Sequence, residues 1–320
     1  MGHSVLRQRH TFRPRVALQS EQGGNMCNDG LRSVCWKVLP PGKHSDMMRR
    51  YVPRSYKTSI DDCKKNFFFQ EPDTTSKLTD ILFVYSKPNA DVGYRQGMHE
   101  SLAPILWAVD RDSVNPKPGV LDANEDKSDS LMRKLLDAEF VEHDAFTLFL
   151  SVMQTARIYY EHGETRSANG QMDVIPIVDR CYYYLYKEAL TIIDHKPAEH
   201  LEAVDVLPQI FLTGWMRLLF GRQVPFDVVL TMWDLLSAYG LRSELVDFTC
   251  IVIMLRILPT ADYTTALTLL LRYPSPQPHT SQTFVHDTLY LEQNPTADRG
   301  SFIISKYSGR PPDAKFSPAV

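Results

Sequence analysis

The sequence predicts an all-α fold, and two observations support this. Apolar residues recur three or four positions apart through most of residues 29–272, and no stretch shows the apolar–polar alternation typical of a half-buried strand. No internal repeat of fixed period is visible, so a solenoid is not expected. With 320 residues, 43% of them hydrophobic, the chain can bury one large core or two smaller ones.

The helical pattern divides the chain into consecutive elements. In SKLTDILFVYS, apolar residues from Leu78 to Tyr85 share one face of a predicted helix. The next helix contains LAPILWAV and should begin within residues 97–101, because Pro104 fits only near a first turn. Polar loops are predicted at residues 111–130 and 161–174. The further predicted helices are LMRKLLDAEFVEHDAFTLFLSVMQ, IVDRCYYYLYKEALTIIDH, LPQIFLTGWMRLLFG, PFDVVLTMWDLLSAYGL and VDFTCIVIMLRIL.

The two ends of the chain differ from this central region. Residues 1–28 form a basic segment with little periodicity, which we interpret as a disordered tail; a transit peptide is the alternative. Residues 273–320 are rich in Ser, Thr and Pro and are predicted to be mostly irregular, with one turn of helix in TFVHDTLYL. The predicted domain therefore covers residues 29–272.

Composition excludes several classes of protein. A net charge of −3 gives no electrostatic reason to expect nucleic acid as the main partner. The five cysteines form no CxxC pair, which indicates reduced thiols in a cytosolic protein rather than a zinc site or a disulfide framework. No apolar run reaches the roughly 18–20 residues that span a bilayer, so no transmembrane segment is predicted.

The sequence lacks most of the common catalytic and nucleotide-binding motifs. The sequence has no GxxxxGK[ST] or GxGxxG loop to cradle a nucleotide and no GxSxG elbow of a hydrolase. His99 and Glu100 begin an HExxH-like pattern, but Ala103 replaces the second histidine, so no metal site is predicted there. Asp61 and Asp62 lack the third acid of a DDxxD magnesium motif. The run Tyr182–Tyr184 occupies successive helix faces and is interpreted as core and partial surface rather than a base-stacking platform.

Three stretches in the expected order carry a resemblance to one family. YRQGM followed by LAPIL, LRSVCWKVLP with Arg32 and Trp36, and LFGRQVPFDVVLTMWDLL with Trp233 and Asp234 together resemble the motifs of TBC domains, the GTPase-activating domains for Rab GTPases. The likeness runs from about residue 31 to about residue 272. Within the family, the sequence is similar to the branch typified by the retromer-associated, endosomal member. It implies two helical subdomains that form a V-shaped domain with a cleft.

The resemblance implies a mechanism centred on Gln96. Members of the family insert a glutamine into the partner's nucleotide site, where its amide can donate to and accept from the attacking water. Gly97 would let the backbone approach the partner closely, while Tyr94, Arg95, His99 and Glu100 would contact the partner or form the rim around it. Behind this tip, four apolar residues would provide a rigid mount, namely Leu102, Ile105, Leu106 and Trp107.

The family's second catalytic group has no clear counterpart. Its arginine finger lies in Ile-x-x-Asp-x-x-Arg, and the corresponding stretch here is TSIDDCKKNFFF. Alignment on Asp62 places Lys65 at the arginine position, and no register restores an arginine. Lysine is cationic but lacks the planar fork of guanidinium. Arg50 and Arg54 lie nearby, but neither fits the motif.

Two functions therefore stay open at this point. The chain is either a GTPase-activating protein for a Rab GTPase, with Lys65 as a poor finger, or a catalytically impaired module that binds a Rab or a trafficking coat. In both cases GTP and Mg²⁺ would be carried by the partner, so no cofactor of its own is expected. The resemblance implies a cytoplasmic protein with peripheral association with endosomal membranes and a retromer-like coat as a further partner.

Overall fold

The structure is a computed structural model, and it describes residues 32–33, 67–115, 127–161, 176–256, 263–271 and 281–308. Within these ranges it is all-α, as predicted: the described residues form helices, and their β-type pairing is limited to one isolated bridge between Val114 and Asp137. The α-helices, numbered here in chain order, are α1 (Pro72–Ser86), α2 (Met98–Asp112), α3 (Lys127–Leu135), α4 (Val141–Ala156), α6 (His195–Ala203), α7 (Gln209–Arg217), α8 (Phe226–Ala238), α9 (Ser243–Arg256), α10 (Tyr263–Leu271), α11 (Ser281–Gln293) and α12 (Ala297–Ser308).

The segment between α4 and α6 has an unusual helical geometry. The segment that we call α5 runs through Ile177–Asp179, a π-helical stretch Arg180–Leu190, and Thr191–Ile193. Long π-helices are rare, since their backbone geometry is less favourable than that of an α-helix. Three shorter 3₁₀ segments lie at Phe67–Gln70, Ala138–Phe140 and Arg157–Tyr159.

The first group of helices consists of α1, α2 and α4, which pack against one another pairwise. Their shared core includes Leu78, Leu82 and Leu106, each almost completely buried. Tyr85 of α1 meets Phe149 of α4 edge to face, with ring centroids 5.2 Å apart. The apolar face that the sequence predicted for α1 is therefore the face that packs against α2 and α4.

The second group is arranged around α9. Ten of the fourteen residues of α9 are buried, because α7, α11, α12 and α5 all pack against it. In the same group Trp215 of α7 is completely buried and donates its indole N–H to the carbonyl oxygen of Leu270, 3.1 Å away. A helix that is buried on nearly all of its faces is accordingly found at the centre of the group.

Two sequence-based expectations need correction. A single helix was predicted through LMRKLLDAEFVEHDAFTLFLSVMQ, but the structure divides it. Asp137 accepts a hydrogen bond from the backbone N–H of Glu139 and so caps the N-terminus of the 3₁₀ segment that precedes α4. The region 273–320, expected to be mostly irregular, contains α11 and α12. Phe284, Val285 and Ile303 of these helices are buried, and this tertiary packing stabilises the helices where local sequence favours none. The predicted basic tail, residues 1–28, lies outside the described residues.

None of the helices in the described part of the chain is long and apolar enough to cross a membrane. The predicted division into two subdomains with a cleft stays a prediction.

Candidate functional site

The segment around Gln96 forms a tight turn that leads directly into α2. The carbonyl oxygen of Arg95 accepts a hydrogen bond from the N–H of Met98, 3.1 Å away, which closes a four-residue β-turn. Gly97 occupies the third position with φ 103° and ψ −23°, close to the geometry of a type II turn. Gln96 is therefore the second residue of the turn, at its corner, and its side chain is exposed.

Gly97 is required here for two reasons. Its positive φ is unfavourable for any residue with a side chain. In addition, a Cβ at this position would lie 2.9 Å from Leu218 Cδ2 and 3.6 Å from the hydroxyl oxygen of Tyr160. The close approach that Gly97 permits is thus internal, between two parts of this chain. Because Gly97 is buried, the structure does not place it on a contact surface, contrary to the expectation that it would touch the partner.

A second turn, at residues 218–224 between α7 and α8, lies against the first. Leu219 and Phe220 both have positive φ, 43° and 68°, which is uncommon for residues with large side chains. The strained backbone is held by two hydrogen bonds: Phe220 N–H donates to the carbonyl of Trp215 (2.9 Å), and the Trp233 indole N–H donates to the carbonyl of Leu219 (2.8 Å). Such strain persists where the surrounding structure determines it and is often found at functional sites.

Polar contacts join the second turn to the start of α2. The carbonyl oxygen of Arg217 accepts hydrogen bonds from Ser101 Oγ (3.1 Å) and from the hydroxyl of Tyr160 (2.6 Å). Burial raises the pKa of Tyr160, so its hydroxyl stays protonated as a donor. The guanidinium of Arg222 forms an ion pair with the carboxylate of Glu100 in the first turn of α2. The mount of Gln96 is therefore built from two segments about half the domain apart in sequence.

Tyr94, His99 and Glu100 form a chain of contacts behind the exposed turn. The hydroxyl of Tyr94 is 3.0 Å from His99 Nδ1, and His99 Nε2 is 3.8 Å from a carboxylate oxygen of Glu100. The side chain of His99 is only 1% exposed and that of Glu100 only 9%. His99 therefore supports the turn from inside, and we correct the expectation that it would lie at the rim.

Arg95, by contrast, is half-buried beside Gln96. Its Nε is buried and makes no hydrogen bond, and no carboxylate among the described residues forms an ion pair with it. Its backbone N–H is directed to the sulfur of Met98, 3.3 Å away, which fixes the start of the turn.

The apolar mount behind the tip agrees with the predicted arrangement. Leu102, Ile105 and Leu106 are buried. Trp107 is partly exposed and packs edge to face against Phe226 of α8, with centroids 5.2 Å apart, so α2 is also fixed to the helix that follows the second turn.

The motif LRSVCWKVLP and the motif LFGRQVPFDVVLTMWDLL meet in space. Arg32 Nε lies 3.0 Å from both carboxylate oxygens of Asp234, and the N–H of Ser33 donates to Asp112 at 2.7 Å. Trp215 and Trp233 are buried, as expected of core residues. The remaining predicted positions lie outside the described residues, namely Trp36, Arg50, Arg54, Asp61, Asp62 and Lys65.

Sequence reasoning missed the role of the second turn. It used this stretch as a family motif and did not expect the carbonyl of Arg217 or the guanidinium of Arg222 beside Gln96. The available signals were Gly221 and Pro225, which mark a turn between two apolar helices. They do not reveal which other segment the turn contacts.

Comparison with known proteins decides the family. Residues 41–259 match the Rab-GTPase-TBC domain family. The chain belongs to this family. The match contains the exposed Gln96 turn, the second turn and Asp234, so the site described above is part of a TBC domain.

Relatives agree with this assignment. This chain is 34% identical over 239 residues to human TBC1 domain family member 5, and the match covers 67% of this chain and 29% of the relative. It is also 34% identical over 297 residues to the mouse protein of that name, covering 85% and 34%. This chain therefore spans about a third of the length of those relatives.

The fold is also similar to a solved structure. The Ypt/Rab-GAP domain of Gyp1p superposes with a TM-score of 0.55, covering 87% of this chain and 78% of that domain. The sequence identity is 17%, so this likeness shows the fold alone.

Proposed function

We propose that this TBC domain binds a Rab-family GTPase and accelerates its GTP hydrolysis, with Gln96 orienting the attacking water. The observation that carries the proposal is the placement of Gln96, exposed at the corner of a turn that Gly97 and the second turn hold rigidly. A rigid mount matters because small displacements of a positioning group lower rates strongly.

The chemistry requires no group from this chain to form a covalent bond. The water oxygen attacks the γ-phosphorus, the bond from that phosphorus to the β–γ bridging oxygen breaks, and its electron pair stays on GDP. The water's proton passes to the released phosphate. The amide of Gln96 would accept from the water and donate to a phosphate oxygen, which places the nucleophile in line. GTP and Mg²⁺ would be supplied by the partner.

The charge-neutralising half of the mechanism is weaker in this sequence. The position that the family fills with arginine corresponds to Lys65, and a lysine cannot donate two parallel hydrogen bonds to a phosphate. Since an arginine supplied in trans is worth about 10³–10⁵ in rate, a lysine in this role would give slow activation.

The same observation favours a second candidate function. A TBC module without its arginine could bind a Rab, or a retromer-like coat, without accelerating hydrolysis. In either case the similarity to TBC1 domain family member 5 supports a role in endosomal trafficking, with a cytoplasmic protein acting peripherally on membranes.

A single-turnover assay separates the two functions. A panel of purified Rab GTPases is loaded with GTP, and phosphate release is followed with and without this protein. The proposal expects at least one member to hydrolyse faster, and Gln96→Ala to abolish the increase. Gln293→Ala removes an exposed glutamine from the end of α11 and should leave the rate unchanged.

Binding to the same GTP-loaded panel, measured by biolayer interferometry, completes the test. Binding without any rate increase supports the impaired module, and gain of activity in Lys65→Arg would then locate the defect at that residue. If the protein neither binds nor accelerates any Rab of the panel, both Rab-directed functions are rejected.

A further inference from the structure

We propose that Arg95 supplies the positive charge that neutralises the γ-phosphate of the partner's nucleotide, in place of an arginine at position 65. The inference rests on the proposed function. It adds a second catalytic residue to the Gln96 turn, one that lies immediately before the glutamine in sequence and in the same rigid element.

Among the described residues, nothing accepts a hydrogen bond from Arg95 Nε. Three arginines near the site are satisfied within the protein: Arg157 pairs with Asp91 and Glu161, Arg217 Nε donates to the carbonyl of Tyr159 at 2.9 Å, and Arg222 pairs with Glu100. Arg95 Nε is buried. A buried donor without an acceptor is costly, so a movement of the side chain toward an anion brought by a partner would relieve this cost.

The position of Arg95 in the same turn as Gln96 also supports this role. Arg95 and Gln96 are the first and second residues of one β-turn, which the Met98 N–H closes on the carbonyl of Arg95 at 3.1 Å. The N–H of Arg95 is itself held by the sulfur of Met98. Both side chains thus leave the same fixed backbone. A partner that brings its attacking water to the amide of Gln96 would therefore also approach the neighbouring Arg95, whose Cα lies about 3.8 Å from that of Gln96.

Charge and shape also favour Arg95 over its neighbours. Arg222 is nearby, but Glu100 already neutralises it. Lys65 offers a point charge only, whereas the guanidinium of Arg95 can donate two parallel hydrogen bonds to phosphate oxygens. Arg95 would donate hydrogen bonds without giving up its proton, because the guanidinium group stays protonated. The gain would come from charge developing on those oxygens in the transition state.

The test uses the full chain and the Rab of the panel that it accelerates most. Since an arginine supplied in trans is worth about 10³–10⁵ in rate, Arg95→Ala and Arg95→Met should both lower the rate of the accelerated reaction by at least about 10³-fold; the methionine keeps an apolar stem in the half-buried site. Arg95→Lys should recover part of the loss. Arg133→Ala, which removes an exposed arginine of α3, should stay within about twofold of the parent.

A binding measurement distinguishes charge neutralisation from a merely structural role. The parent should bind the GDP-loaded Rab more tightly when aluminium fluoride, which mimics the transferring phosphate, is added. Arg95→Met should lose this fluoride-dependent gain yet keep its affinity for the GTP-loaded Rab and its thermal unfolding temperature.

The outcomes separate the two levels of the proposal. If Gln96→Ala abolishes acceleration while both Arg95 variants keep it, the role of Arg95 is overturned and the proposed function stands. Loss in Lys65→Ala alone likewise overturns it in favour of Lys65. If the parent accelerates no Rab, the proposed function fails and the role of Arg95 fails with it.

Discussion

Arg32 Nε lies 3.0 Å from both carboxylate oxygens of Asp234, and the Asp234 side chain is only 2% exposed. The pair joins two sequence motifs that are 202 positions apart. Because Asp234 immediately follows Trp233, whose indole holds the carbonyl of Leu219, this ion pair also supports the second turn beside Gln96. A motif residue far from the tip is therefore connected to it through the core.

Arg32→Met is expected to destabilise the protein strongly. Removal of one partner leaves a buried carboxylate without this compensating charge, which costs about 3–5 kcal/mol. Urea unfolding at pH 7 would measure the loss. Asp234→Asn in the Arg32→Met background should recover part of the stability, since position 234 then carries no buried carboxylate. An unfolding free energy unchanged by Arg32→Met would show that the pair has no structural role.

A second buried pair predicts a pH dependence of stability. Arg180 in the π-helical part of α5 bonds both carboxylate oxygens of Asp247 in α9. Burial raises the pKa of Asp247 from its ordinary value of 3.8 to about 6, although Arg180 acts in the opposite direction. The folded protein thus binds this proton more tightly than the unfolded chain does. Its contribution to stability is therefore greatest below pH 4 and is lost as the pH rises through 6.

Asp247→Asn tests this sign. Between pH 4 and 7 the free energy of unfolding of the parent should fall by up to about 3 kcal/mol relative to the variant, as a two-unit pKa difference implies. Urea titrations of both proteins at several pH values would measure the difference, so that other carboxylates cancel. A difference that is flat with pH, or that rises, would contradict the raised pKa.

Gly97→Ala is expected to destabilise the fold and lower any activity. The new methyl group would meet Leu218 Cδ2 at 2.9 Å, and the residue would keep a positive φ of 103°. Together these effects should cost about 2–3 kcal/mol. Gly93→Ala is the matched control: its φ is 61°, but nothing lies within 4 Å of the added Cβ, so only the backbone strain applies.

A double variant isolates the contact between the two turns. Gly97→Ala combined with Leu218→Ala should lose less stability than the sum of the two single losses, whereas Gly93→Ala combined with Leu218→Ala should be additive. Thermal unfolding of the set provides the readout. Equal losses in Gly93→Ala and Gly97→Ala would show that the two turns do not touch as described.

The ion pair between Glu100 and Arg222 predicts an effect on rate rather than on stability. Arg222 is 46% exposed, so the pair should contribute less than about 1 kcal/mol to folding. If it positions the turn of Gln96, Glu100→Gln and Arg222→Gln should each lower Rab hydrolysis by about tenfold. The double variant should be no slower than either single one. Additive losses would mean that the two residues act separately.

The sequence alone predicted where α2 begins and which of its faces is buried, because the determinants are local. Gly97 supplies the positive φ, Pro104 limits where α2 begins, and the apolar residues after them follow one helix face. The second turn could not be located in this way. Ser101 and Arg217, which bond across the two turns, are 116 positions apart, and no periodicity or turn residue encodes such a contact.

The C-terminal region shows the opposite limitation. Pro274, Pro276 and Pro278 favour an irregular chain, and the apolar residues that follow are too sparse for local pattern to predict long helices. Packing against α9 overrides this preference, since Leu291 and Ile303 lie in the common core. The helices α11 and α12 therefore belong to the domain rather than to a tail.

Gly300 provides a direct test of how closely this C-terminal region is packed. It lies within α12, where alanine would ordinarily improve helix stability by about 1 kcal/mol. Here a Cβ would approach Ile193 Cγ2 to 2.5 Å and the backbone carbonyl oxygen of Ile193 to 2.6 Å. Because backbone cannot move as easily as a side chain, Gly300→Ala should instead destabilise the protein by about 1–3 kcal/mol.

Gly214→Ala is the control, since this glycine also lies within a helix, α7, but its added Cβ would meet only Gln223 Nε2 at an ordinary 3.6 Å. The two variants should therefore shift the unfolding temperature in opposite directions, upward for Gly214→Ala and downward for Gly300→Ala. If both raise it, α12 does not pack against the end of α5 in solution, and the C-terminal region is the loosely attached tail that its proline-rich sequence suggested.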